Sequence, residues 1–372
     1  MDHLDESAFF TTIRDTVRSK EQMLLTRMRT LKLNMESVLK RRYFAVSSRT
    51  FQLVAVASVA ISIWSSAFLL LALIFASLFD PTPAIPRAFL ILYISYLLLD
   101  DSPTSGGRPV PVIRRAYFWQ YFRDYFPIQV IKQRATFSFT ASESYMIGYH
   151  PHGVSGLGAF GAFGGRYAEL DKIFPGIELF GCTLESNFHI PILREFLLAM
   201  GGVSVSEKSI KAVLARGPGN AVVVVPGGAA EALHAKPGSH ELTLKKRTGF
   251  FRIAIETGSH LVPVYAFGEN EIFDQVCHYP LVSYFNAWMV RKLGFFLPLY
   301  SGSGAVPLNP VPKRSPIITV IGQPIHVSKK ECPTRQDIED LKCKYIKELC
   351  QIFDDFADVY APLRVSNLNF AE

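Results

Sequence analysis

From Phe51 to Phe79 the chain carries 29 positions with no charged side chain. About 20 such residues suffice for a helix to cross a bilayer. The run also begins too far from residue 1 for a cleaved signal peptide. A bend with Pro81, Pro83 and Pro86 follows, and proline in a helix interior ends the helix. A second apolar run then extends from Ala88 to Leu99, which is short for a crossing. The pair reads either as a hairpin that enters and returns to one side, or as one span plus a buried segment. Arg41, Arg42 and Arg49 precede it, and Arg108, Arg114 and Arg115 follow it. Basic residues on both flanks favour a hairpin with both ends cytosolic. Residues 1–50 are polar and basic. Within 20–43, Leu24, Met28, Leu31, Met35 and Val38 are in phase for an amphipathic helix, with a mobile tail as the other reading. The expected organisation is therefore a tail over 1–50, a membrane anchor over 51–100 and a cytosol-facing domain over 101–372.

Residues 101–113 are rich in Pro, Gly and Ser and read as a linker. Beyond them, short β-branched runs alternate with helical patterns. Strands are expected at 145–149, 177–182, 220–226, 261–267 and 317–321, and helices at 190–200, 207–216, 247–257 and 335–359. The last is the clearest, because Ile338, Leu341, Tyr345, Leu349, Ile352, Phe356 and Val359 recur at helical spacing. Alternation of this kind predicts a layered α/β domain.

Hydrophobic residues make up 49% of the 372 positions and charged residues only 19%, which excludes general disorder. Mean hydropathy is +0.20, a value that fits one anchor on a globular body. Five cysteines, sparse and odd in number, exclude a disulfide scaffold and suit the reducing cytosol. The formal charge of +7 points to an anionic surface, either a phospholipid leaflet or a phosphate-bearing cosubstrate. No zinc spacing, basic-region helix or aromatic RNA-binding motif supports nucleic acid as a partner.

Four segments carry candidate chemistry. Tyr149-His150-Pro151-His152-Gly153 directly follows an expected strand. Extended geometry before a proline puts His150 and His152 on one face, and Gly153 permits close approach to a ligand. The alternative is a satisfied structural pair. No third ligand stands at a diagnostic metal spacing. Ser155 lies in Gly153-Val154-Ser155-Gly156-Leu157, which misses the nucleophile elbow Gly-x-Ser-x-Gly. The second segment is Pro226-Gly227-Gly228-Ala229-Ala230-Glu231 after the apolar strand 222–225. Glu231 either serves the site or is a solvated helix-start residue. In the third, Lys245, Lys246 and Arg247 precede a helix start, an arrangement that suits phosphate groups or is only a basic turn. In the fourth, Glu269 and Asn270 end the strand of Val262-Pro263-Val264 and either line a site or build a turn.

Together the segments resemble the type-2 diacylglycerol acyltransferases from His150 to about Val327. The matching motifs are His-Pro-His-Gly at 150–153, Pro-Gly-Gly-Ala-Ala-Glu-Ala-Leu at 226–233, Arg-Thr-Gly-Phe at 247–250, Val-Pro-Val at 262–264, Phe-Gly-Glu-Asn at 267–270 and Gly-Gln-Pro-Ile at 322–325. Their order and spacing agree over roughly half the chain, and the apolar pair near the N-terminus is similar to the family's membrane hairpin. The stretch from Ile190-Pro191 to Ser206 resembles the acceptor-proximal segment of the wider glycerolipid acyltransferases. That wider group uses a His with an Asp five residues on. Here, counting from His152, position 157 is Leu, so an orienting carboxylate must come from elsewhere, and Glu231 is the candidate.

The resemblance implies a glycerolipid-acyltransferase-like α/β domain that moves an acyl group from acyl-CoA to diacylglycerol, with no metal or other cofactor. His152 is expected as the general base, oriented by Glu231, with His150 shaping the site or hydrogen-bonding an acyl or CoA group. Backbone N–H groups at Gly153, Gly227 or Gly228 are expected around the oxyanion. Lys245, Lys246 and Arg247 are expected on the CoA phosphates, and Pro151, Glu269 and Asn270 as lining. The expected location is the endoplasmic reticulum membrane, or lipid droplets, with the domain facing the cytosol. Oligomeric state stays open. Monoacylglycerol, a long-chain alcohol or a sterol are alternative acceptors. A hydrolase or thioesterase, or a non-catalytic lipid-binding protein, are alternatives of another class.

Overall fold

Two long apolar helices lead into a mixed sheet flanked by helices. The computed structural model describes residues 49–79, 84–275, 280–293, 300–304 and 309–371. The tail and its amphipathic stretch over 20–43 lie outside the described residues. Thr50–Glu372 forms one compact unit.

Helix α1 spans Arg49–Phe79 and α2 spans Ala84–Leu99. Pro81 and Pro83 lie outside the described residues, whereas Pro86 sits in the first turn of α2. There its missing N–H has no intrahelical acceptor to lose. Both helices return to the globular body. Ala55, Val56 and Val59 of α1 are buried in the core with Trp119 and Phe122. At the bend, the Arg87 guanidinium donates to the Ser77 carbonyl of α1 at 2.8 Å. At the far end of α2, the buried Arg194 donates to Asp100 Oδ2 at 2.8 Å and to the Asp100 carbonyl at 2.9 Å. Among the described residues no helix is long and apolar enough to cross a membrane.

The stretch 101–113 is strapped down rather than free. Ser204 N–H and Ser209 Oγ both donate to the Pro103 carbonyl. Then follow α3 (Pro111–Arg114), α4 (Phe118–Tyr125), β1 (Gln129–Lys132), β2 (Tyr145–His150), α5 (Leu157–Phe163), α6 (Ala168–Ile173) and β3 (Glu178–Thr183). Next come α7 (Leu193–Ala199), β4 (Gly202–Ser204), α8 (Glu207–Leu214), β5 (Asn220–Val224), α9 (Gly228–Ala232), β6 (Glu241–Thr243), α10 (Thr248–Thr257) and β7 (His260–Phe267). The chain closes with β8 (Asp274–Gln275), α11 (Pro280–Leu293), β9 (Tyr300–Ser301), β10 (Ile318–Ile321), α12 (Arg335–Tyr360) and β11 (Asn369–Ala371).

Seven strands form the main sheet in the order β1-β10-β7-β2-β5-β3-β4. From β7 to β4 every neighbour is parallel, and β10 pairs antiparallel with β7. Strands buried on both faces read as continuous apolar runs, which is why 222–225 stood out. The pleat of β2 divides the core. Tyr145, Ile147 and Tyr149 join the cluster containing α1, α4 and α5. Met146 joins the cluster of α12, with Tyr345, Leu349, Ile352 and Phe353. The described fold is thus a mixed α/β architecture.

Two arginines near the end of α2 separate buried from surface ion pairing. Arg194 is 2% exposed and faces Asp100, whereas Arg108 is half exposed against the exposed Glu195. Removing one partner of a buried pair costs about 3–5 kcal/mol, and a surface pair contributes about 1 kcal/mol or less. Arg194→Ala is therefore expected to lower the unfolding midpoint in detergent far more than Arg108→Ala. Equal shifts would contradict this account of how the end of α2 is attached.

Candidate active site

The carboxyl ends of β2, β5 and β7 lie side by side, because β2 pairs in parallel with both others. Open α/β sheets place their ligands at this edge. Each strand end delivers one of the sequence-derived segments: residues 151–156 after β2, Pro226 to Glu231 after β5, and Glu269-Asn270 after β7.

Glu231, in α9, is 3% exposed. Its Oε1 accepts the backbone N–H of His152 at 2.6 Å and its Oε2 accepts the backbone N–H of Thr243 at 2.8 Å. This corrects the expected role, since the carboxylate holds the backbone of His152 and not its ring. A Cβ on Gly227 would collide with the Glu231 carboxylate, so that position takes glycine for space. Burial pushes Glu231 up to about 7, opposed by the two backbone N–H donors and by the charge of Arg247.

The ring of His152 finds its orienting group next door. Nδ1 stands 2.9 Å from the Gly153 carbonyl oxygen. A carbonyl only accepts, so Nδ1 carries the proton and Nε2 keeps its lone pair. Burial lowers the pKa of His152, and the Gly153 carbonyl works in the opposite direction. A neutral imidazole with a lone pair on Nε2 can act as a general base near neutral pH. His152 is partly exposed, whereas His150 is fully buried. The expectation that both project together rested on strand alternation. The strand ends at His150, so the pleat does not govern position 152.

Glu269 is fully buried beneath the loop. Its Oε2 accepts from Tyr149 Oη at 2.7 Å and its Oε1 accepts the Gly158 N–H at 3.1 Å. Burial raises it to about 7, with both donors pulling it back. Gly153 has φ +62° and a Cβ there would lie 2.7 Å from Glu269 Cγ. Asn270 is tied through Nδ2 to the Ser239 carbonyl at 2.7 Å. Both residues thus build the turn, and Glu269 braces the histidine loop, whereas Asn270 holds the neighbouring stretch at Ser239.

The basic triplet divides. Lys245 and Lys246 are exposed, but Arg247 turns inward and donates from Nη2 to the Gly227 carbonyl at 2.9 Å. Gly228 (φ +58°) donates its N–H to the Val225 carbonyl at 3.2 Å. Pro151 is buried. Among the described residues no three His, Cys, Asp or Glu side chains gather as metal ligands. Sequence reasoning missed Thr243, Gly158 and Tyr149 as partners of the two carboxylates. The first two act through backbone N–H groups, which any residue but proline supplies.

Residues 84–370 match the family model described as Diacylglycerol acyltransferase. The chain is 41% identical over 288 residues to "Diacylglycerol O-acyltransferase 1" of Schizosaccharomyces pombe, covering 76% of this chain and 83% of that protein. It is 41% identical over 273 residues to "Diacylglycerol O-acyltransferase 2" of Homo sapiens, covering 71% and 69%. Among solved structures, the 1-acyl-sn-glycerophosphate acyltransferase PlsC of Thermotoga maritima aligns with a TM-score of 0.36 at 12% identity, over 80% of this chain and 97% of that one. That likeness is too slight to carry an argument.

The double acceptor role of Glu231 gives a stability test. Its folded value of about 7 lies above the usual carboxyl value of about 4.3. The native state therefore holds the proton more tightly, and this contribution is full below about pH 4 and gone above about pH 7. Glu231→Gln removes that titration and sets an amide donor against a backbone N–H. At pH 7 it is expected to cost about 1–3 kcal/mol, the scale of an unmet buried group. Melting in detergent across pH 4.5–7 checks both points, and a pH dependence identical to the parent's would contradict the assignment.

Proposed function

The chain belongs to the diacylglycerol acyltransferase family, and from that premise we propose that it transfers a fatty acyl group from acyl-CoA to the free hydroxyl of diacylglycerol, giving triacylglycerol and CoA. The observation that carries this reading is His152. Its Nδ1 proton is held by Gly153 O, its backbone by Glu231, and its Nε2 lone pair is left for a substrate.

In the proposed reaction, Nε2 of His152 takes the hydroxyl proton as the oxygen attacks the thioester carbonyl. The C–S bond then breaks, and the imidazolium returns the proton to the CoA sulfur. Glu231 contributes by fixing where the imidazole stands. The Gly228 N–H already serves Val225, so the proposed oxyanion donors are the backbone N–H groups of Gly153 and Gly227. Lys245 and Lys246 are exposed and suited to the CoA phosphates, whereas Arg247 supports the glycine turn. No metal or redox cofactor enters the scheme.

The hairpin supplies the lipid side. Phe68, Leu71, Phe75, Leu78 and Phe79 on α1, and Ile85, Leu92, Leu98 and Leu99 on α2, are exposed on the isolated chain. A contiguous apolar surface of this kind needs cover, and acyl chains provide it. We place α1 and α2 as a hairpin in the endoplasmic reticulum membrane or at the lipid droplet surface, with the sheet on the cytosolic side. Diacylglycerol then arrives from the lipid and acyl-CoA from water.

His152→Ala is expected to lower triacylglycerol formation by about 10²–10⁴-fold, the usual contribution of a positioned base. Microsomes given radiolabelled acyl-CoA and diacylglycerol measure it, and near-parental turnover would exclude His152 as base. The same assay with diacylglycerol, monoacylglycerol, a long-chain alcohol, a sterol or no acceptor fixes the acceptor class. CoA release that ignores added acceptor would mark a hydrolase instead.

A further inference from the structure

A hydroxyl on the apolar stripe of the C-terminal helix reaches the site. Tyr345 is fully buried in α12, where it packs edge-on against Phe250 and Phe251 at ring centroid separations of 5.7 and 5.5 Å. A phenylalanine would fill the same space, so the hydroxyl is what asks for a reason. Tyr345 Oη donates to the Gly148 carbonyl at 3.1 Å and lies 3.0 Å from His150 Nε2. Gly148 must be glycine for this, since a Cβ there would collide with the Tyr345 oxygen.

The proton count follows from the partners. In the hydrogen bond described, the single Tyr345 proton goes to the Gly148 carbonyl, which only accepts. With the proton placed there, the Tyr345 oxygen offers His150 only lone pairs, and the matching partner is a protonated Nε2. Nδ1 of His150 is left as a buried lone pair with no partner among the described residues. Burial also keeps the ring neutral, pushing its pKa down to about 3. We propose that Tyr345 is a positioning residue that locks His150 in the Nε2-protonated tautomer, so that the buried Nδ1 lone pair is the one group His150 has left, an acceptor for a donor that enters the site. It therefore cannot donate to an acyl carbonyl or to an oxyanion. Its ligand is an O–H or N–H donor, as on a lipid hydroxyl or an amide of the CoA arm.

The activity half of the test rests on the acyl-transfer reading, and the tautomer half does not. The full-length chain in detergent, labelled with ¹⁵N-histidine, reports ring tautomers by long-range ¹H–¹⁵N correlation, with His150→Gln identifying the His150 signal. The parent protein is expected to show His150 protonated at Nε2 alone. Tyr345→Phe is expected to admit the Nδ1-protonated form and to lower kcat about ten- to a hundredfold, the scale of one positioned hydrogen bond, with KM for acyl-CoA within about twofold. A His150 signal protonated at Nδ1 or at both nitrogens in the parent protein overturns the proposal, whatever the variant does. So does a Tyr345→Phe protein with an unchanged tautomer, or with kcat within twofold of the parent. Parent protein that shows the expected tautomer but no acyl transfer would count against the functional reading and not against the lock. Omitting the acceptor alcohol, or exchanging acyl-CoA for an acyl thioester without the pantetheine amides, identifies which donor shifts the Nδ1 resonance.

Discussion

The histidine loop and the end of strand β6 are held by a single buried carboxylate. Glu231 accepts one backbone N–H from the residue that bears the candidate base and another from Thr243. Burying a charged or polar group is unfavourable unless its hydrogen-bonding capacity is met, and here two main-chain donors meet it. The arrangement tolerates little slack. Gly227 has no room for a Cβ beside the carboxylate, and Arg247 closes the same turn from the other side. A base must stand within hydrogen-bond reach of its proton before its pKa matters, so the carboxylate's grip on the main chain sets the first condition for catalysis.

Glu269 repeats the device one strand away. It is buried, accepts from Tyr149 and Gly158, and leaves no space for side chains at Gly153 or Gly158. Both carboxylates are displaced to about 7 by the same cause, burial, opposed in each case by donated hydrogen bonds. The histidine loop is thus clamped from β5 through Glu231 and from β7 through Glu269. Preorganised positions of this kind cost no reorganisation when charge develops in the reaction.

Much of this was legible in the chain, and the parts that were not share a physical reason. The strands at 145–150, 220–224 and 260–267 and the helix at 335–360 lay within a few residues of expectation, because runs of β-branched residues and a 3.6-residue period report burial directly. Short elements such as Gln129–Lys132 and Glu241–Thr243 carry too few residues for a period to show. Motif position pointed to the histidine loop, Glu231 and Glu269, but not to what they touch. That depends on main-chain donors whose side chains carry no signal. Tyr345 was visible only as one member of an apolar stripe, since its hydroxyl acts across 195 residues of sequence. Glycine was the most informative residue type at the site. Gly148, Gly153 and Gly227 each mark a place where another residue's polar side chain takes the Cβ position.

The same reasoning links the two long apolar helices to the proposed chemistry. In the proposed placement of α1 and α2 in a bilayer, the orientation of the strand ends would be governed by how rigidly the two helices join the body. Neither joins through a free linker. Ala55, Val56 and Val59 of α1 belong to the core cluster of Trp119 and Phe122, and α2 is followed by Asp100, which Arg194 holds from α7. Arg194 also donates to the Phe188 carbonyl at 3.0 Å, so the stretch beginning near Ile190 is fixed by the same guanidinium that anchors the hairpin. That stretch is the one whose sequence resembles an acceptor-proximal segment. One buried guanidinium thus joins the residue that ends the two apolar helices to the Phe188 carbonyl and to α7. In the proposed placement, a lipid hydroxyl presented along α1 and α2 would meet a site whose position is set by packing and ion pairing, not by the reach of a tether.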